Sequence, residues 1–96
     1  MGQNEMIEQL CAALCSLTTS EEAHALLSDL CTTREINELA QRLEVARDLA
    51  QGASYQKTIE KTGASSATIG RVKRCLDYGA GGYRLILDRL DGEEKG

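Results

Sequence analysis

Proline, phenylalanine and tryptophan are all missing from the 96 residues. Without proline, no helix has to be kinked by a lost N–H donor. Without the two bulky aromatics, the core must be assembled from Leu, Ile, Val, Ala and Met. A chain this short with small core residues buries limited apolar surface by itself. An obligate oligomer, most simply a two-fold homodimer, is therefore expected. No apolar run approaches the ~20 residues of a membrane span. The opening MGQNEM lacks the basic and apolar regions of a secretory signal, and Met6 stands where a myristoylation signal needs Ser or Thr. The expectation is a cytoplasmic chain with no membrane partner.

Histidine is scarce as well, with His24 alone. Cys11, Cys15, His24 and Cys31 could be written down as four metal ligands. However, no CxxC knuckle occurs, and Cys11 and Cys15 fall one helical turn apart beside an apolar stripe. A free cysteine often behaves as a small buried hydrophobe, and a reducing compartment disfavours disulfides. No metal and no resident cofactor are expected. Ser28 and Asp29 lie near His24 in sequence, but one short helix cannot give the geometry of a catalytic triad. His24 is expected at the surface or at a dimer edge. Gly79-Ala80-Gly81-Gly82 has no Lys-Ser/Thr after it and no strand before it, so it is no phosphate loop. Six short helices leave little room for a catalytic cleft, and the chain is expected not to be an enzyme.

The most informative stretch is SYQKTIEKTGASSATIGRVKRCLDY, Ser54 to Tyr78. Ser54 suits a helix N-cap, because its hydroxyl can accept from an orphan N–H. Two turns follow, Tyr55 to Thr62, and Gly63 ends them with the positive φ that a C′ position favours. Ser65 or Ser66 caps a second helix, on which Ile69, Val72 and Leu76 share a face that Ile59 can meet. This is a helix-turn-helix, whose second helix enters a DNA major groove. Thr68, Gly70, Arg71, Lys73 and Arg74 lie away from that seam, and Lys57 and Lys61 are on the first helix. Residues 53–79 hold five basic and two acidic residues, a net +3, whereas the whole chain is −4 and the remainder therefore −7. Cations gathered on one unit of an acidic protein form an electrostatic footprint for phosphate.

Elsewhere the chain reads as further helices. Residues 1–4 look like a polar, frayed start. Glu5 to Leu17 carries Ile7, Leu10, Leu14 and Leu17 as one stripe. Thr18/Glu21 and Thr19/Glu22 both fit a capping box for a helix to about Leu30, with Ala23, Leu26, Leu27 and Leu30 inward. Thr32 to Glu35 is a second box and opens the longest helix, Thr33 to Gln51. Ile36, Leu39, Leu43, Ala46 and Ala50 form its stripe, and Gly52 stops it. A flexible glycine link leads to a last helix from Tyr83 to about Asp91, and residues 92–96 read as a disordered charged tail. The result is a single all-α domain, 1–96. Its parts are dimerisation helices at 5–52, the helix-turn-helix at 54–78 and a C-terminal helix at 83–91.

LCTTREINELAQRLEVARDLAQG and TGASSATIGRVKRCL resemble the central helix and the reading head of the Trp repressor family, in particular its YerC/YecD-like branch. The similarity covers residues 29–90, about two thirds of the chain, and its GAxxATIxR core is fairly specific. Trp repressor is one of the standard examples of the helix-turn-helix. The resemblance implies a six-helix, intertwined homodimer presenting two reading heads to successive major grooves. It also implies a pocket for a small effector. The founding member holds L-tryptophan between two arginines, and Arg42 and Arg71 fall on those positions. Thr32 and Thr68 match two pocket threonines. Val72 replaces a glycine and Cys75 a serine. A valine there would intrude on the indole plane, and overfilling a packed slot costs ~1–3 kcal/mol. Tryptophan is therefore not favoured as effector, though another small molecule stays open. Arg42 could instead pair with Glu38 or Asp29, and Arg71 could simply face phosphate.

The function expected is a sequence-specific DNA-binding transcriptional regulator, a repressor by its family, acting as a homodimer on double-stranded DNA. Ser66, Ala67, Thr68, Gly70 and Arg71 would meet the groove. Lys57, Lys61, Lys73 and Arg74 would contact phosphates. Arg71 could fork onto a guanine, and Ala67 and the Thr68 methyl could sense a thymine methyl. Two other readings are a dimer whose helix-turn-helix is a protein-docking surface and the DNA-reading part of a larger enzyme.

Overall fold

The computed structural model describes residues 1–95, with side chains through residue 92. Among them are six α-helices and no strand. These are α1 (Gln3–Cys15), α2 (Ser20–Leu30), α3 (Thr33–Ala50), α4 (Tyr55–Thr62), α5 (Ser66–Tyr78) and α6 (Gly82–Lys95). The chain divides into two compact units, Met1–Ile36 and Asn37–Gly96.

In the first unit, helix boundaries are set by short polar side chains. Gly2 takes the extended N-cap position of α1, so the helix already includes Gln3 and Asn4 rather than fraying up to Glu5. It closes at Cys15, where the Ser16 hydroxyl donates to the Ala13 carbonyl at 2.7 Å and ends the helix short of Leu17. Of the two candidate boxes before α2, Thr19/Glu22 forms. Thr19 Oγ1 accepts from the Glu22 N–H at 3.1 Å. The Glu22 carboxylate accepts from the Thr18 N–H and hydroxyl at 2.9 and 3.0 Å. At the start of α3 the box is reciprocal. Glu35 N–H donates to Thr32 Oγ1 at 3.1 Å, and Thr32 N–H donates to Glu35 Oε1 at 2.8 Å. Both carboxyls titrate below their ordinary value, chiefly because they accept from backbone N–H groups that favour the charged form. No residue of α1 or α2 is fully buried. Met6, Ile7, Leu10, Leu14 and Leu30 stand exposed.

The second unit has a closed core. Val45 and Ala46 of α3, Ala64 in the turn after α4, Ile69, Val72 and Leu76 of α5, and Leu87 of α6 are buried together. Leu43, Leu49, Ile59 and Tyr83 pack against them. The seam of Ile59 with Ile69 and Val72 is as the spacing predicts. On α3 the inward face differs from the predicted stripe. Val45 and Leu49 join Leu43 and Ala46, while Leu39 and Ala50 are exposed. Apolar residues run round more than one side of α3, and this core takes only one of them.

The predicted glycine link is more constrained than its composition suggests. Gly79 N–H donates to the Cys75 carbonyl at 2.9 Å, and a Cβ on Gly79 would strike that same carbonyl. Arg84 Nε donates to the Leu76 carbonyl at 3.3 Å and so ties α6 to the end of α5. The last helix also runs past Asp91. Gly92 does not stop it, because one interior glycine costs only about 1 kcal/mol and Glu93, Glu94 and Lys95 favour helix. The expected disordered tail is thus helical through Lys95, and residue 96 lies outside the described residues.

Candidate nucleic-acid interface

Three local devices hold α4 and α5 in a helix-turn-helix. Ser54 Oγ accepts from the Lys57 N–H at 3.1 Å. Gly63 sits at φ 73°, a left-handed conformation that glycine adopts at little cost, and its N–H donates to the Ile59 carbonyl at 2.8 Å. Ser65, rather than Ser66, caps α5 by accepting from the Thr68 N–H at 3.1 Å. Inside the turn, the Thr62 hydroxyl accepts from the Ala64 N–H at 3.2 Å and donates to the Thr58 carbonyl at 2.7 Å.

The core residues Ile69, Val72 and Leu76 fix which side of α5 faces out. Ser66, Ala67, Arg71 and Arg74 are exposed there, and Thr68, Gly70 and Lys73 are half-buried. Thr68 Oγ1 accepts from the Ser65 hydroxyl at 3.1 Å, so part of its polar capacity is used within the cap. Nothing in the protein approaches a Cβ built on Gly70. The fold therefore does not require glycine there. A surface able to approach closely along the helix backbone does gain from it.

The cations differ. Arg71 and Arg74 form no ion pair among the described residues, and Lys57 is exposed. Lys73 Nζ lies 3.4 Å from Asp77 on the next turn, an exposed pair of small energetic weight. Lys61 is engaged much more strongly. Its Nζ lies 2.8 Å from Asp48 Oδ1 and 3.0 Å from Glu44 Oε1. Hydrogen bonding to Asp48 first, then to Glu44, raises its pKa above the ordinary lysine value. Asp48 is almost entirely enclosed, at 5 % exposure. Sequence patterns alone do not single out these two carboxylates as site residues. Their only signal is the 3-and-4 spacing of Gln41, Glu44 and Asp48 along α3.

The predicted effector residues divide. Arg42, Thr68 and Arg71 line one cavity with Glu38 and Gln41, of about 510 Å³. Val72 is not among its walls. Its side chain is buried in the core, at 1 % exposure. Cys75 is exposed and also lies outside that wall. Thr32 belongs to the other unit and is engaged in the capping box of α3. Among the described residues no three His, Cys, Asp or Glu side chains are grouped to hold a metal ion, and no helix is long and apolar enough to cross a membrane.

An all-helical chain with this capped pair of helices and this basic outer face has the form of a helix-turn-helix regulator. Residues 5–91 match the model of the Trp repressor protein family. The Bacillus subtilis (strain 168) protein YerC, itself uncharacterised, is 51 % identical over 88 residues, covering 92 % of this chain and 85 % of that protein. The crystal structure of a TrpR-like protein from Eubacterium eligens is similar at a TM-score of 0.88 and 45 % identity, covering 93 % of this chain and 92 % of that one. The chain belongs to the Trp repressor family, whose members are helix-turn-helix transcription regulators.

Proposed function

We propose that this protein is a sequence-specific DNA-binding transcriptional repressor that acts as a homodimer on a two-fold site in double-stranded DNA. The observation that carries this reading is the outer face of α5. Ala67, Arg71 and Arg74 project from a helix held by Ser65 and by a buried seam, and neither arginine is neutralised within the described residues. Ser66, Ala67, Thr68, Gly70 and Arg71 face base edges, with Arg71 able to fork onto a guanine. Lys57, Lys73 and Arg74 meet phosphates. The exposed leucines of the N-terminal unit supply the apolar surface that a second copy covers. Footprinting across genomic fragments tests the reading. Protection of discrete two-fold sites supports it. Uniform weak protection, or none, favours the alternative of a protein-docking surface.

The cavity of Arg42, Thr68 and Arg71 is the place for a small effector. All five lining side chains are polar or charged, which favours a polar or anionic molecule over an indole. Calorimetry with L-tryptophan should show no binding up to about 1 mM. Saturable micromolar binding that is lost in Arg71→Ala would overturn this.

A further inference from the structure

Along α3, three polar side chains spaced 3 and 4 apart reach the C-terminal end of α4. Gln41 Nε2 donates to the Thr62 carbonyl at 3.2 Å. Glu44 and Asp48 together hold the Lys61 ammonium, at 3.0 and 2.8 Å. Asp48 has only 5 % of its surface exposed, and an enclosed carboxylate is costly unless a cation matches it. Lys61 provides that cation. Otherwise α4 is lightly anchored. Its one fully buried side chain, Thr58, donates its hydroxyl back to the Ser54 carbonyl at 2.9 Å, and Ile59 is half-buried. An ammonium already shared by two carboxylates has little net attraction left for a phosphate.

We propose that Lys61 is a positioning residue and does not touch phosphate. With Asp48 and Glu44 it latches α4, and with it the turn into α5, onto α3, so that the reading head is set without any bound effector. The wedge of Val72, Val45 and Ala46 in the same core acts in the same direction. This inference rests on the DNA-reading function proposed above.

The test compares Lys61→Met with Lys57→Ala, using a mixed-sequence duplex titrated over a range of salt and amide hydrogen exchange of residues 55–62. Lys61→Met should weaken binding roughly tenfold, the size of an ordinary coupling between sites. The slope of affinity against salt should stay unchanged, and the α4 amides should exchange faster. Lys57→Ala should shrink the slope by about 0.9 for each phosphate that is no longer neutralised and leave α4 exchange alone. Lys61→Arg, which keeps the charge, should behave like the unaltered protein. The proposal is overturned if Lys61→Met shrinks the slope as Lys57→Ala does, or leaves α4 exchange unaltered. If Lys61→Met does not fold, Glu44→Gln takes its place, since it removes one carboxylate without stranding a buried charge. Unaltered α4 exchange in Glu44→Gln overturns the latch, and faster exchange upholds it. If the unaltered protein binds no DNA, the function proposed above fails, and α4 exchange in Lys61→Met then decides the latch by itself.

Discussion

The N-terminal unit, Met1–Ile36, has no fully buried side chain, whereas the unit from Asn37 onward closes around seven buried apolar residues. Charge divides along the same boundary. Residues 1–36 hold six acidic and one basic residue, a net −5, and residues 37–96 hold nine acidic and ten basic, a net +1. One unit is acidic and has apolar surface uncovered, and the other is self-contained and displays cations. In the proposed regulator the first part meets a second copy and the second part meets the polyanion.

The largest expected effect comes from the uncovered face. Leu10→Asp with Leu14→Asp should abolish dimerisation, at a cost of about 3–6 kcal/mol if both side chains become buried between copies. Sedimentation together with thermal melting monitored by circular dichroism checks this. A double variant that still sediments as a dimer would mean that this face is not an interface. Within the closed unit, Ile69→Ala should cost ~2–5 kcal/mol in urea unfolding, because Ile69 is fully enclosed and its removal leaves a cavity.

Surface changes on α5 should leave the fold intact and change binding. Gly70→Ala meets open space, so it should hold or raise stability by up to about 1 kcal/mol while weakening DNA binding. A variant that loses stability would show that glycine is there for the fold. Lys73→Ala should weaken binding to all duplexes alike and shrink the salt slope by about 0.9 per phosphate. A change in base preference at one position with an unchanged slope would place Lys73 on the wrong side of the helix.

The smallest effect lies in the caps. Glu35 has its pKa held below 4.5 by the Thr32 N–H and hydroxyl. A depressed folded-state pKa contributes stability above the unfolded value that is lost as pH falls through the folded one. Acidification below about pH 4.5 should therefore remove this contribution, and Glu35→Gln should show a shallower loss of stability over that range.

The helix-turn-helix is legible in the sequence because its boundaries are local chemistry. Ser54, Gly63 and Ser65 act on backbone groups within four residues of themselves. The capping boxes are legible for the same reason. The end of α6 is not, because Gly92 looks like a stop, yet the residues after it carry the helix on. The fate of Lys61 is not legible either. It depends on where α4 meets α3, and a lysine between polar residues looks like any solvated cation. Val72 is legible as a seam residue from its spacing with Ile69 and Leu76, and the core buries it there.

Sequence-specific DNA reading is tested by equilibrium binding of the unaltered protein to a duplex carrying its footprinted site and to a scrambled duplex of the same length. Both are measured from about 50 to 200 mM salt, a range over which phosphate contacts change affinity steeply. A sequence reader should prefer the site at every salt, lose affinity steeply with salt on both duplexes, and lose the preference in Arg71→Ala with the overall salt dependence largely kept. Equal affinity for the two duplexes, or binding indifferent to salt, would contradict that role.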